Sequence, residues 1–189
     1  GVGVNVTTPG GAPYYTYSGL STYGNTTNHN KLILKGQWDA SGGGVYGGYT
    51  QSLAGDSTDN EIVITDGGYA YYGNIYGGYT AGSGKAINNT ITLSGTYVNA
   101  GSYMHLYGGK SAGGGDDITG NTLKVTSSNN DTNTIDNFQK MQFDLNAGVN
   151  SGDTMLRVAA QNSTQTFDWS NIKVTGLRDW ATALAANNV

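Results

Sequence analysis

The chain has 189 residues, with 9 Lys+Arg against 13 Asp+Glu for a net charge of −4 and a pI near 4.8. That sign, with only 12% of residues charged, excludes the basic footprint that nucleic acid or an anionic membrane requires, and the composition excludes an ordinary helical or α/β domain. Leu, Ile, Val and Phe are scarce enough to suggest disorder, yet a disordered chain carries high net charge and few aromatics. This one instead has 14 Tyr and 31 Gly among abundant Thr, Asn and Ser, the make-up of many short strands joined by tight turns.

Cysteine is absent, so there is no disulfide framework, thiolate metal site or thiol nucleophile. No apolar run approaches the roughly 20 residues of a membrane helix. Gly1 to Asn5 lacks the basic and apolar regions of a signal peptide, which fits either a mature protein or an excised fragment.

A repeat organises the first two thirds. Tyr17-Ser18-Gly19-Leu20-Ser21 is followed by Val45-Tyr46-Gly47-Gly48-Tyr49-Thr50, Ile75-Tyr76-Gly77-Gly78-Tyr79-Thr80 and Leu106-Tyr107-Gly108-Gly109-Lys110-Ser111. A second motif keeps the same phase: Asn30-Lys31-Leu32-Ile33-Leu34, Asn60-Glu61-Ile62-Val63-Ile64, Asn89-Thr90-Ile91-Thr92-Leu93 and Asn121-Thr122-Leu123-Lys124-Val125. Each Asn follows its Tyr at a nearly constant separation. The N-x-[LI]-x-[LVI] segment alternates with period two, as a half-buried strand does. The Y-G-G segment reads as a second strand whose paired glycines allow a bulge or corner. A coil of about 30 residues buries its apolar face only against its neighbours, and the architecture that fits is all-β, a single-stranded parallel β-helix.

Stacking predicts interior ladders of Leu32, Ile62, Ile91 and Leu123 and of Leu34, Ile64, Leu93 and Val125. It also predicts an aromatic ladder of Tyr17, Tyr46, Tyr76 and Tyr107 and an amide ladder of Asn30, Asn60, Asn89 and Asn121. Regular repeats are expected over 14–126. From about Ser127 the period fails, and 127–189 reads as less regular coils or a cap, with a short helix between Leu177 and Val189. The whole, 1–189, is taken as one solenoid domain in preference to two.

The repeated V-Y-G-G-Y-T with its intervening N-x-I-x-I strand resembles the passenger repeats of bacterial autotransporter surface proteins. Ile135-Asp136-Asn137-Phe138-Gln139-Lys140-Met141-Gln142-Phe143 and Gly152-Asp153-Thr154-Met155-Leu156 are similar to the stretches that follow such repeats. The resemblance spans about residues 14 to 160. It implies a right-handed parallel β-helix on the bacterial cell surface or outside the cell, used as an adhesin or its stalk. It also implies a signal peptide upstream and a membrane β-barrel downstream, and no universal catalytic residues.

The acidic side chains are twelve Asp and the single Glu61. Asp56, Asp59 and Glu61 fall near one loop, and Asp116 with Asp117 in the corresponding loop two coils later, about 9.6 Å away at the strand spacing. That is too far for a paired-carboxylate site between the loops. Asp116 and Asp117 are candidate Ca²⁺ ligands against the plainer reading of solvated turn aspartates; no other metal site and no cofactor is indicated. His29 and His105 occupy non-equivalent repeat positions, and no serine-hydrolase elbow or P-loop occurs. Tyr69, Tyr71, Tyr72, Tyr97 and Tyr103 lie outside the Y-G-G motif. Exposed aromatic faces stack on sugars and anchor protein interfaces, so these five are the candidate ligand-binding residues, against the alternative that Tyr merely fills a strand face. The expectation is a non-enzymatic adhesin module or stalk with a glycan or protein ligand, no nucleic acid partner and no membrane insertion of its own. The alternatives are a polysaccharide-processing, lyase-like enzyme on the same scaffold and a self-association module for cell–cell aggregation.

Overall fold

The computed structural model describes residues 4–7, 15–23, 25–38, 43–70, 73–95, 104–145, 148–159 and 169–175, with side chains described in all of these except 4–7, 37, 38, 66–70 and 169. The expected short helix in the tail lies outside the described residues. What is described is an all-β solenoid in which every strand pairing is parallel. The N-x-[LI]-x-[LVI] segments build one seven-stranded sheet (sheet I) from Val4–Thr7, Lys31–Trp38, Glu61–Ala70, Thr90–Ser94, Thr122–Val125, Lys140–Asp144 and Ile172–Thr175. The Y-G-G segments build the other (sheet II), whose main path runs through Tyr15–Tyr17, Gly44–Tyr46, Gly73–Thr80, Met104–Ser111 and Thr134–Asp136. Along sheet II, Val45, Ile75, Leu106 and Ile135 stand in register about one strand spacing apart.

Between the sheets lies one apolar core. Leu32, Ile62, Ile91 and Leu123 form one column and Leu34, Ile64, Leu93 and Val125 the next, all but fully buried. They face Val45, Ile75, Leu106 and Ile135 of sheet II. Both expected interior ladders are present.

The turn entering sheet I is built the same way in each coil. His29, Asp59 and Asn88 have φ of 54°, 57° and 59°, and Gly120 has φ of 71°. Each immediately precedes a ladder asparagine. Asn, Asp, His and Gly are the residues that accept this left-handed conformation most readily, which explains residue choices that look unrelated in sequence. The turn delivers the next side chain inward. Asn60, Asn89 and Asn121 are at most 1% exposed, and each must therefore be hydrogen-bonded.

They satisfy one another. Asn60 Oδ1 accepts from Asn30 N at 3.2 Å and Asn30 Nδ2 at 2.8 Å, Asn89 Oδ1 from Asn60 N and Nδ2 at 3.0 Å each, and Asn121 Oδ1 from Asn89 N at 2.9 Å and Nδ2 at 3.3 Å. The second Nδ2 hydrogen goes to a carbonyl of the coil before: Asn60 to Thr27 O, Asn89 to Ser57 O and Asn121 to Ala86 O, at 2.9 to 3.2 Å. The ladder ends on the carbonyl of Asn137, which accepts from Asn121 Nδ2 at 3.2 Å. In that last coil Asn137 again has a left-handed φ of 59°, but the residue after it is the buried Phe138.

Paired glycines make room for this amide row. A Cβ on Gly48 or Gly78 would lie 2.6 Å from Nδ2 of Asn60 or Asn89, and one on Gly77 would lie 2.9 Å from Asn89 Cβ. None of these three has positive φ. Glycine is required here for space rather than for backbone freedom. The glycine pair and the Asn of the same coil form one packing unit, so their separation in sequence stays nearly constant.

Beyond Ser127 the strands stay in register although the sequence period is lost. On sheet II, Ile135 pairs with Leu106, a full coil earlier in the chain. On sheet I, Met141 pairs with Leu123, although the chain between them is much shorter than a full coil. The difference is the loop: Leu106 to Leu123 passes through the long turn at 112–120, whereas Ile135 to Met141 passes only through Asp136 to Lys140. Ile172 then pairs with Met141, again a full coil further on. The apparent end of the repeat is a deleted loop, with the strand ladder continuing through Lys140–Asp144 and Ile172–Thr175.

Asn89→Ala removes the acceptor of two Asn60 donors and strands the surrounding amides in a buried site. At about 1–3 kcal/mol for each buried group left unpaired, the expected loss is roughly 2–5 kcal/mol, read as a lower urea midpoint with unchanged slope. A loss below about 0.5 kcal/mol, typical of surface changes, would contradict the ladder.

Candidate functional site: a double tyrosine ladder

In a plain strand, residues three apart point to opposite faces. In Y-G-G-Y they do not. Gly77 and Gly78 both turn toward the asparagine row, so Tyr76 and Tyr79 emerge on the same outer side with ring centroids 5.3 Å apart and planes at 74°. Tyr46 and Tyr49 repeat the arrangement at 5.0 Å and 70°. The bulge or corner expected at the glycines is thus present, and it places both tyrosines outside.

Stacking coils turns each tyrosine into a column. Tyr17, Tyr46, Tyr76 and Tyr107 stack at 5.2, 5.1 and 4.9 Å with planes within 19°. Tyr49 and Tyr79 form a second column at 5.0 Å and 13°. Tyr17 contacts Tyr49, and Tyr46 contacts Tyr79, edge to face or tilted across the columns. The first column is the aromatic ladder the repeat predicts. The second was missed, although the i, i+3 spacing around two glycines is its signal.

The wall is half-buried, apart from Tyr46 at 6% exposure. Burial, together with neighbouring phenols, pushes the Tyr46 and Tyr76 hydroxyls up, Tyr76 to about 12. Tyr17, Tyr49 and Tyr107 are raised mainly by burial as well. Neighbouring rings cover one another's faces, so the wall offers ring edges and hydroxyls to a ligand. Tyr15, 51% exposed, stacks beside Tyr17 in the same strand at 6.2 Å, and Tyr23 is 86% exposed nearby in the chain.

Of the five tyrosines singled out from sequence, none has a described side chain. Tyr71, Tyr72, Tyr97 and Tyr103 lie outside the described residues, and Tyr69 is described only as a backbone position of the strand Glu61–Ala70, opposite Gln37.

Asp56, Lys85 and Asp116 occupy one column of the stacked turns, as shown by the hydrogen bonds Thr27 N to Asp56 O, Ser57 N to Lys85 O and Ala86 N to Asp116 O. The two loops are therefore two coils apart, as expected, with a lysine in the coil between them. Asp56 Oδ1 accepts from Lys85 N at 2.7 Å. Asp116 Oδ1 accepts from the backbone of Ile118 at 3.1 Å and Thr119 at 3.0 Å; the Thr119 bond is the main cause that holds its carboxyl below the usual range. Asp117 Oδ2 accepts from Ser111 N at 3.3 Å. The candidate Ca²⁺ ligands thus act as turn acceptors, and among the described residues no three His, Cys, Asp or Glu converge on a metal-sized site.

His29 is exposed in its left-handed turn. His105 lies on the outer side of sheet II, with Nδ1 2.8 Å from Thr134 Oγ1 and Nε2 3.3 Å from Asn133 Nδ2. Burial holds it below the usual imidazole range. Comparison of the chain with protein-family models, with curated proteins and with solved structures returned no match.

A phenol whose folded pKa lies above its unfolded value of 10.0 favours the folded state until the unfolded chain ionises, and that contribution is lost as pH climbs through the folded value. Stability is therefore expected to fall between pH 10 and pH 12, the window set by Tyr76. Phenolate absorbance and circular dichroism should change together across it. A smooth titration near pH 10 with the fold intact would refute the buried wall.

Proposed function

We propose that this chain is a non-enzymatic β-helical segment of a bacterial surface protein of the autotransporter passenger type, serving as an adhesin module or stalk with a glycan or protein ligand. The observation that carries the reading is the tyrosine wall, which repeats one surface over four successive coils.

Three physical points support it. Each coil of a solenoid contacts only its neighbours, so the array extends by adding coils without a new core. The lateral ties are hydrogen bonds, stacked rings and apolar columns, which depend little on salt. The exposed ion pair on sheet I adds little: Lys31 and Glu61 meet at 2.8 Å with both side chains well exposed, a geometry worth at most about 1 kcal/mol. Finally, an aromatic strip several coils long suits an extended partner, contacting it through ring edges and hydroxyls.

The reading predicts that the encoding frame supplies a secretion signal upstream and a membrane β-barrel downstream, and that protease added to intact cells removes this segment. Protection until the cells are lysed would overturn surface display. With display established, Tyr15→Ala combined with Tyr23→Ala is expected to weaken saturable binding of the purified chain to glycan or matrix arrays by tenfold or more, a change of about 1.4 kcal/mol. Binding no better than that of an unrelated solenoid would reduce the role to a stalk.

A further inference from the structure

The tyrosine wall brings together oxidisable groups at a density that the rest of the described molecule does not approach. Cysteine is absent, Met104 and Met141 are buried at 0% and 7% exposure, and Met155 packs partly buried against the core. Beside that one thioether, the clustered electron-rich side chains among the described residues are the phenols. Each ring in the first column lies 4.9 to 5.2 Å from the next, and Tyr49 lies 5.0 Å from Tyr79. Tyr46 and Tyr79, on adjacent coils, also meet edge to face at 5.5 Å and 83°.

We propose that this wall is an oxidative modification site, at which hydrogen peroxide and a haem peroxidase join tyrosines of neighbouring coils through dityrosine bonds. The half-exposed Tyr15 is the entry point. One-electron oxidation there gives a phenoxyl radical, and the hole moves along the stacked rings. A second oxidation places two radicals in contact. A carbon–carbon bond then forms between the ring carbons ortho to the two hydroxyls. Each ring gives up one C–H hydrogen, so two electrons and two protons leave in total, and one hydrogen peroxide is reduced to two waters.

Position makes this coupling intramolecular. The backbones of paired strands lie about 4.8 Å apart, and holding two reactants at contact raises their effective concentration far beyond any reachable in solution. A swing of one ring toward its neighbour supplies the edge contact that the bond needs, and the edge-to-face pairs already show that orientation. Each link would fasten one coil to the next covalently, a role that disulfides fill in chains with cysteine. The inference stands on ring geometry alone and does not depend on the surface-display reading.

The experiment treats the purified full chain with hydrogen peroxide and a haem peroxidase and follows dityrosine fluorescence, gel mobility and cross-linked peptides by mass spectrometry. The expected product is a monomer lacking two hydrogens per link, with bonds between tyrosines of adjacent coils (Tyr17–Tyr46, Tyr46–Tyr76, Tyr76–Tyr107, Tyr49–Tyr79, Tyr17–Tyr49 or Tyr46–Tyr79), and a yield independent of chain concentration. Its thermal midpoint should rise. Tyr76→Phe keeps the ring and the stack but forms no phenoxyl radical, so it should abolish links to position 76 and leave Tyr49–Tyr79. The proposal is overturned by links between molecules only, as through Tyr23, by links within one coil only, by links confined to tyrosines outside the two columns, or by none.

Discussion

The buried asparagine row is the constraint from which the rest follows. An amide has two donors and an acceptor to satisfy away from water, and leaving any of them unmet costs more than the bond returns. Here the acceptor takes two bonds from the Asn of the coil before, while the two donor hydrogens go to the next Asn and to a backbone carbonyl. Such a network forms only if successive coils sit in one register. A slip by one residue would leave several buried amides unpaired, so the row specifies register where apolar columns of similar Leu and Ile would tolerate sliding.

The row also dictates its surroundings. The residue before each Asn must adopt left-handed φ, and the strand facing it must have no side chain at two consecutive positions. That pair of inward glycines sends the flanking tyrosines to the same outer side, where the strand spacing brings the rings to about 5 Å. The outer wall is therefore a consequence of the inner amide row. Two motifs that merely run in parallel in the sequence meet across sheet II, the tyrosines on its outer face and the asparagines packed against its inward glycines.

At the far end of the array the chemistry changes. Phe138 succeeds the ladder asparagines, and an apolar ring replaces the amide once there is no further Asn to bond. Asp131, 8% exposed, is held by Arg157 of the following coil, with Nε 2.9 Å from Oδ1 and a second contact through the guanidinium. A near-buried carboxylate needs such a partner, and Arg meets it with two nitrogens at once. Asn129, with φ of 61°, and the buried Asn130 repeat the left-handed turn and inward amide, this time bonding the carbonyl of Met155 at 3.0 Å. One device is reused where the sequence repeat is no longer visible.

The sequence by itself determined the coil length, the parallel stacking, the identity of the core columns and the amide and first tyrosine ladders. All of these depend on period and on alternation, which are local properties of the chain. It did not reveal the second tyrosine column, because two glycines in succession break alternation and only the packed amide shows why. It read 127–189 as less regular coils or a cap without showing why the period is lost, because a deleted loop shifts the spacing of Met141 without moving it from register. Nor could it show that the backbone N–H groups of Ile118 and Thr119 converge on Asp116 and that of Ser111 on Asp117. Tertiary structure decided these points because each turns on what lies one coil away, remote along the chain yet a single strand spacing away in space.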